Sequence, residues 1–335
     1  MIWLFLSGGL FLGWSLGSND AANIFGSAVS SGMIRFKKAA LICSVFVIIG
    51  AVVQGSGGAE TLNSLGSTSS MKNAFLLTFS AAITVFGMSI IGLPVSTSQA
   101  IVGAIIGWNI FAGIPTDPVV LKKILLSWIL CPLLAATFAM ILLTIIRFWM
   151  KRSRIHLLKQ DALLRWGLII VGAFGAYSLG ANNIANVMGV FIPVVSLPEI
   201  QMGAITISSA QQLFFMGSLA IALGIFTFSK KNMKAVGSKL LKVTPEAALV
   251  AILAHSLVLF IFSSSSLSNF VASMGLPPIP LVPASSSQAI IGAIVGIGLT
   301  RGGYGINYRF LFEIGLGWVI TPVVSGVLVF LLLHF

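Results

Sequence analysis

The sequence predicts an all-α polytopic membrane protein made of two inverted-topology repeats, and three observations carry that expectation. First, 57% of the 335 residues are hydrophobic and 8% are charged, with apolar runs of about 20 residues, the length a helix needs to cross a bilayer. Second, a run such as 124–146 shows no period-two alternation. That removes the β-barrel, the other architecture that satisfies its own backbone hydrogen bonds in lipid. Third, three sequence blocks recur in the same order.

The blocks are GSNDAAN (17–23) with GANNIAN (180–186), GLPVSTSQAIVGAIIG (92–107) with VPASSSQAIIGAIVG (282–296), and Trp128-Ile-Leu-Cys-Pro132 with Trp318-Val-Ile-Thr-Pro322. Ordered recurrence of this kind marks a duplication. One repeat is expected over 1–150 and the other over 166–335, joined by a basic linker at 151–165.

Taken in order, membrane segments are expected near 2–30, 39–55, 74–93, 94–111 and 122–148, then near 166–192, 203–228, 246–265, 283–300 and 310–334. These ten fall within an expected range of about 10 to 12. The first begins apolar, with no basic n-region and no small-residue cleavage site, so it reads as a span and not as a removable signal. The segments ending at Gly92 and starting at Pro94 leave no room for a loop, which predicts a helical hairpin or re-entrant pair.

Charge placement gives the orientation. The loop after the first segment is basic (Arg35, Lys37, Lys38), whereas its counterpart at 193–201 holds only Glu199. The next loop, 55–73, carries one lysine, and its counterpart holds Lys230, Lys231, Lys234, Lys239 and Lys242. By the positive-inside rule the basic loops, the 147–165 stretch and the Arg301–Arg309 loop are cytoplasmic. Equivalent elements then face opposite sides, and both termini lie outside the cell membrane. The net charge of +12 is thereby a topology signal, and no nucleic-acid partner is expected. Cys43 and Cys131 lie in apolar segments without metal-ligand spacing and read as small core residues.

At Pro94-Val95-Ser96-Thr97-Ser98-Gln99 the proline ends one helix and the hydroxyls suit the start of the next. The N–H groups of a helix start have no partner within the helix and stand at its positive end, so the block is a seat for an oxyanion without any arginine. Pro283-Ala284-Ser285-Ser286-Ser287-Gln288 repeats it. The candidate anion ligands are therefore Ser96, Thr97, Ser98, Gln99, Ser285, Ser286, Ser287 and Gln288. Asp20 is the one acidic side chain of seven that falls deep in apolar sequence. At a cost of about 2.5–3.5 kcal/mol on insertion scales it needs a cation or a proton. Asn19, Asn23, Asn182, Asn183 and Asn186 add amide oxygens, hard ligands of the kind sodium prefers, although asparagine also bonds helix to helix.

Other conspicuous residues read as structural. His255 sits on an apolar helix as a packed, neutral side chain, and His156 lies in the basic linker. Thr244-Pro245-Glu246 reads as a helix start. Trp128 and Trp318, at a fixed distance from Pro132 and Pro322, suggest kinked helices lining the hairpins. An intramembrane enzyme would need a base beside its nucleophile, and no histidine accompanies either serine cluster along the chain. A passive anion channel has no use for the buried carboxylate.

The repeated G-[SA]-N-[DN]-x-A-N block, the paired hydroxyl-glutamine blocks and the inverted halves resemble the inorganic phosphate transporter (Pit-type) family, over nearly the whole chain. That family includes sodium- and proton-coupled phosphate symporters and some sulfate permeases. The resemblance implies two hairpin-bearing repeats around a central oxyanion site, a homodimer in the lipid bilayer, and no cofactor beyond sodium ions as co-transported ligands. It maps phosphate contacts onto the eight hydroxyl and glutamine residues above, and sodium onto Asp20, Asn23, Asn183 and Asn186, with Asn19 and Asn182 as further ligands. Glu60 matches a functional glutamate of the family, and by position it is equally a loop acid at the outer surface. Two departures stand out. Asn183 replaces the usual second aspartate, and the 150–165 region is too short for the large regulatory loop of some relatives.

The function expected is import of inorganic phosphate by cation symport through alternating access, with sodium as the cation. Bringing each negative charge inward costs about 2.3 kcal/mol per 100 mV of inside-negative potential, which cotransported cations offset. The alternative is a proton-coupled sulfate permease on the same scaffold.

Overall fold

A computed structural model describes residues 2–334 apart from 67, 69, 93, 94, 154, 155, 204, 234–243, 304 and 305. The expected proline break at Pro94, and Lys234, Lys239 and Lys242, lie outside the described residues. In the first half the helices are α1 (Ile2–Ser30), α2 (Phe36–Gln54), α3 (Ser56–Leu65), α4 (Met71–Ile91), α5 (Thr97–Ala112) and α6 (Pro118–Arg152). The second half holds α7 (Leu157–Met188), α8 (Ser209–Thr227), α9 (Pro245–Ser263), α10 (Ser265–Ser273), α11 (Ser286–Leu299) and α12 (Tyr308–Leu332).

Among the described residues seven helices, α2, α4, α6, α7, α8, α9 and α12, are long and apolar enough to cross a membrane. Helix α1, at 29 residues, has the length but carries the polar GSNDAAN block in its second half. The chain is thus an all-α polytopic membrane protein. Helices α5 and α11 have 16 and 14 residues. At 1.5 Å per residue they reach about 24 and 21 Å, short of the roughly 30 Å hydrocarbon core. Each starts buried, at Ser96 and Ser285, and ends at an exposed residue, Gly113 and Thr300. They run from the centre of the molecule to its surface.

Local chemistry places the ends. Gly92 and Gly113 close α4 and α5 in the left-handed conformation, φ 83° and 67°, where a side chain would be strained. Ser70, Asp117, Ser208 and Asn307 cap α4, α6, α8 and α12 by accepting backbone N–H bonds. Asp117 Oδ1 takes two, from Val119 at 2.7 Å and Val120 at 3.1 Å, ahead of a first-turn proline. Replacing it with alanine is expected to cost about 1 kcal/mol, read as a lower melting point in detergent.

Several expectations need correction. Residues 55–73, read as a loop, contain α3, whose small residues Gly57, Gly58 and Ala59 are buried against the protein. The segment expected over 203–228 begins as a helix only at Ser209. Before it, β1 (Ile200–Met202) and β2 (Ile205–Ile207) form an antiparallel hairpin with Ile200 opposite Ile207. Most of the supposed linker is helix, because His156 accepts the Leu158 N–H and α7 starts at Leu157. Helix α10 was not anticipated. Thr244 occupies a cap position without a side-chain bond, leaving Pro245 to start α9.

Packing is reciprocal between the halves. Helix α1 lies on α4 and α8, and α7 lies on α9 and α2; α5 packs on α12 and α11 on α6. Glycines make these crossings close. A Cβ on Gly17 would overlap the Ile221 carbonyl, and one on Gly180 the Val47 carbonyl. At the hairpin helices the matching pair is Gly103 against Pro322 and Gly292 against Pro132. The Trp-x-x-x-Pro helices do line the short helices, as their spacing suggested, with the proline carbonyls seated on glycine. Each half therefore builds its core largely from the other.

Candidate functional site

The site is assembled where α5 and α11 begin. Ser96 and Ser285 hold extended backbone at the N-cap, and each side chain accepts the N–H of the glutamine three residues on, Gln99 and Gln288, both at 3.2 Å. This local geometry turns the next residues, Thr97 and Ser98, Ser286 and Ser287, into the first turn of each helix, where backbone N–H groups have no helical acceptor.

The two starts meet. Ser98 Oγ donates to the Ala284 carbonyl at 3.2 Å, and Ser287 Oγ donates to the Val95 carbonyl at 2.7 Å. Each third hydroxyl thus ties its own helix to the extended approach of the other. The Asn blocks of α1 and α7 close around this junction. Asn23 Nδ2 donates to Ser286 Oγ at 3.0 Å, and Asn186 Nδ2 donates to Ser98 Oγ at 2.9 Å. Asn19 Nδ2 reaches the Val95 carbonyl at 3.3 Å and Asn182 Nδ2 the Val282 carbonyl at 3.4 Å.

All eight predicted anion ligands and all six predicted Asp and Asn residues are buried, none more than 7% exposed. Asp20 is the one acidic residue of seven that is buried. Its Oδ1 accepts from Asn19 Nδ2 at 2.7 Å, and no lysine or arginine among the described residues is buried with it. Several oxygens have no hydrogen-bond partner: Gln99 and Gln288 Oε1, Asn182 and Asn186 Oδ1, and Thr97 Oγ1. The junction accordingly offers two chemistries side by side, helix-start N–H groups and hydroxyls for an anion, and amide oxygens with one carboxylate for a hard cation.

Glu60 is not brought into this cluster. It stands exposed on α3, although its neighbour Thr61 donates to the Leu281 carbonyl on the approach to α11. Residues beside the site were missed, Ser89 among them, whose Oγ donates to Asn19 Oδ1 at 3.3 Å. His255, read as a packed side chain, places Nε2 3.0 Å from Ser286 Oγ and is fully buried. The premise that no histidine accompanies a serine cluster is therefore overturned. The two lie 31 residues apart on different helices, and no local spacing relates them. Cys131 also approaches, its Sγ 3.4 Å from the Ser285 carbonyl.

Fold and site together define a class: a helical membrane protein whose buried polar centre is built from the starts of half-crossing helices in two related halves, the construction of secondary transporters. Residues 16–329 match the phosphate transporter family, and the chain belongs to that family. The family is one of transporters, not enzymes, so the His255–Ser286 contact is no hydrolytic dyad. A protein of Methanocaldococcus jannaschii named "putative phosphate permease" is 27% identical over 96% of this chain and 93% of its own length. The sulfate permease CysP of Bacillus subtilis is 27% identical over 94% of this chain and 82% of its own. Among solved structures, a sodium-dependent phosphate transporter superposes with a TM-score of 0.73 at 20% identity, covering 100% of this chain and 99% of that one. That likeness concerns the fold.

Proposed function

We propose that this protein imports inorganic phosphate with sodium by alternating access of two inverted repeats. The observation that carries the reading is the reciprocal junction of the helix starts, Ser98 to Ala284 and Ser287 to Val95, with the Asn blocks and Asp20 around it. Phosphate is held by Ser96, Thr97, Ser98 and Gln99 from one repeat and by Ser285, Ser286, Ser287 and Gln288 from the other. Sodium is held by Asp20, Asn23, Asn183 and Asn186, with Asn19 and Asn182 as further oxygen donors.

The asparagines link the two ligands. Asn186 spends its Nδ2 on Ser98 and on Asn183 Oδ1, at 2.9 and 3.0 Å, while its own Oδ1 is unpaired. A cation on that oxygen fixes the amide, and the amide fixes the Ser98 hydroxyl that ties the start of α5 to the approach of α11. The negative charge of Asp20 is met by the cation, and the cation lowers the cost of bringing phosphate beside it. All of these side chains are buried, so in this reading opening to either side means parting one half of the junction. In this reading both termini face outward from the cell membrane, the protein acts as a homodimer, and Glu60 stands outside the binding site.

Uptake of radiolabelled phosphate into proteoliposomes tests this, with an inward sodium gradient, a proton gradient or neither, and with excess unlabelled sulfate. Accumulation is expected only with sodium and in the presence of sulfate. A second reading, proton-coupled sulfate transport, draws on the equally identical sulfate permease relative and on Asn183 in place of a second carboxylate. Accumulation driven by protons alone and abolished by sulfate would replace the first reading with that one.

A further inference from the structure

The hydroxyls of the junction divide by what they already do. Ser96 and Ser285 turn back onto the Gln99 and Gln288 N–H groups of the helices they cap. Ser98 and Ser287 commit their protons to the Ala284 and Val95 carbonyls. The remaining pair, Thr97 and Ser286, holds equivalent places in the two blocks. Thr97 Oγ1 has no partner at all, whereas Ser286 Oγ is approached by two nitrogens, Asn23 Nδ2 and His255 Nε2, both at 3.0 Å.

Hydrogen-bond counting then decides where the Ser286 proton points. A hydroxyl has one proton and two lone pairs, and Asn23 occupies one lone pair. His255 Nδ1 is buried without a partner, and a buried lone pair without a donor is less costly to the fold than a buried N–H without an acceptor. The proton therefore belongs on Nε2, which donates to the second lone pair of Ser286. With both lone pairs filled, the Ser286 O–H can only donate outward, and the group it meets must be an acceptor. An oxyanion satisfies that condition.

We propose that His255 is a positioning residue of the anion site, which directs the Ser286 hydroxyl proton at the bound oxyanion. This rests on the reading of Ser286 as a phosphate ligand. It also makes the two repeats unequal, because Ser286 Oγ has two nitrogen neighbours whereas its counterpart Thr97 Oγ1 has none. Thr97 has no such guide, so the second repeat presents the better-ordered donor.

The test is equilibrium binding of radiolabelled phosphate, at saturating sodium, to purified H255L, H255N, H255Q, S286A and H255L/S286A. Removing one hydrogen bond to an anion is expected to raise Kd about tenfold, so S286A and H255L each give that rise. The double variant gives no more than S286A alone, because His255 acts through Ser286. H255Q, whose amide reaches the place of Nε2, restores most of the affinity. H255N, with its amide at the place of Nδ1, does not, while melting like H255Q. If H255L itself fails to fold, the Gln and Asn variants carry the comparison. A loss in H255L that adds in full to that of S286A, or equal affinities for H255Q and H255N, would reduce His255 to packing and overturn the proposal. An S286A protein with unaltered affinity would overturn the phosphate reading of Ser286 and this inference with it.

Discussion

Asp20→Asn is expected to abolish sodium-driven accumulation of phosphate while leaving the protein folded. The substitution keeps the shape and keeps an oxygen to accept the Asn19 Nδ2 bond, which is 2.7 Å in the native protein. It removes the one buried carboxylate. A neutral amide is easier to bury in a membrane than a charge, so melting should be unchanged or raised. The functional loss follows from charge. With one cation fewer, one negative charge of phosphate is uncompensated, at about 2.3 kcal/mol per 100 mV, or about fiftyfold in the attainable accumulation ratio. Sodium activation curves in proteoliposomes clamped at a negative potential check this. An Asp20→Asn protein that still accumulates phosphate in response to sodium would show that the cation is held elsewhere. The same variant discriminates the rival coupling, because in a proton-driven carrier it should remove dependence on the proton gradient instead.

Gly292→Ala and Gly103→Ala should each unseat a hairpin helix. A methyl on Gly292 points into the Pro132 carbonyl, and one on Gly103 into the Pro322 carbonyl. Both obstacles are backbone in the middle of a long helix and cannot swing aside as a side chain would. Overpacking of this kind costs about 1–3 kcal/mol. Its effect on transport should exceed its effect on stability. Pushing α11 outward stretches the 2.7 Å bond from Ser287 to Val95, and pushing α5 outward stretches the 3.2 Å bond from Ser98 to Ala284. Melting in detergent and phosphate uptake report the two effects separately. Normal melting and uptake in Gly292→Ala would mean that the crossing relaxes freely and that the glycine is not what brings the helices together. The two contacts share no residues, but both substitutions strain the one junction, so their stability losses should be coupled and not simply additive in the double variant.

Much of this architecture was legible in the chain because local rules wrote it. Apolar length marked the spans, hydroxyls before the short helices marked their caps, and recurrence of three blocks exposed the duplication. The isolation of Asp20 among apolar residues singled it out, and its burial follows. Where reading failed, the cause was physical. Helix α3, SGGAETLNSL, is too polar and too short to announce itself as part of a membrane domain, and it folds against the protein through its small residues. The strands β1 and β2 are six paired residues in all, with no repeating pattern long enough to register. The start of α7 within the basic linker reflects a helix extending past the apolar stretch that predicted it. His255 gave no signal, since a histidine on an apolar helix is as consistent with quiet packing as with a role.

The sequence by itself determined the class of the protein, its recurring blocks of hydroxyls and glutamine, and the carboxylate and amides that accompany them. Only the tertiary structure decided that the two blocks meet in one buried junction, and which hydroxyls cap a helix, which tie the two starts together and which has no partner. Periodicity, capping and proline breaks act over a few residues and can be read from a line of text. The bonds that make the site join residues 186, 192 and 263 positions apart, and glycine-lined crossings between helices of different halves are what bring those partners within reach.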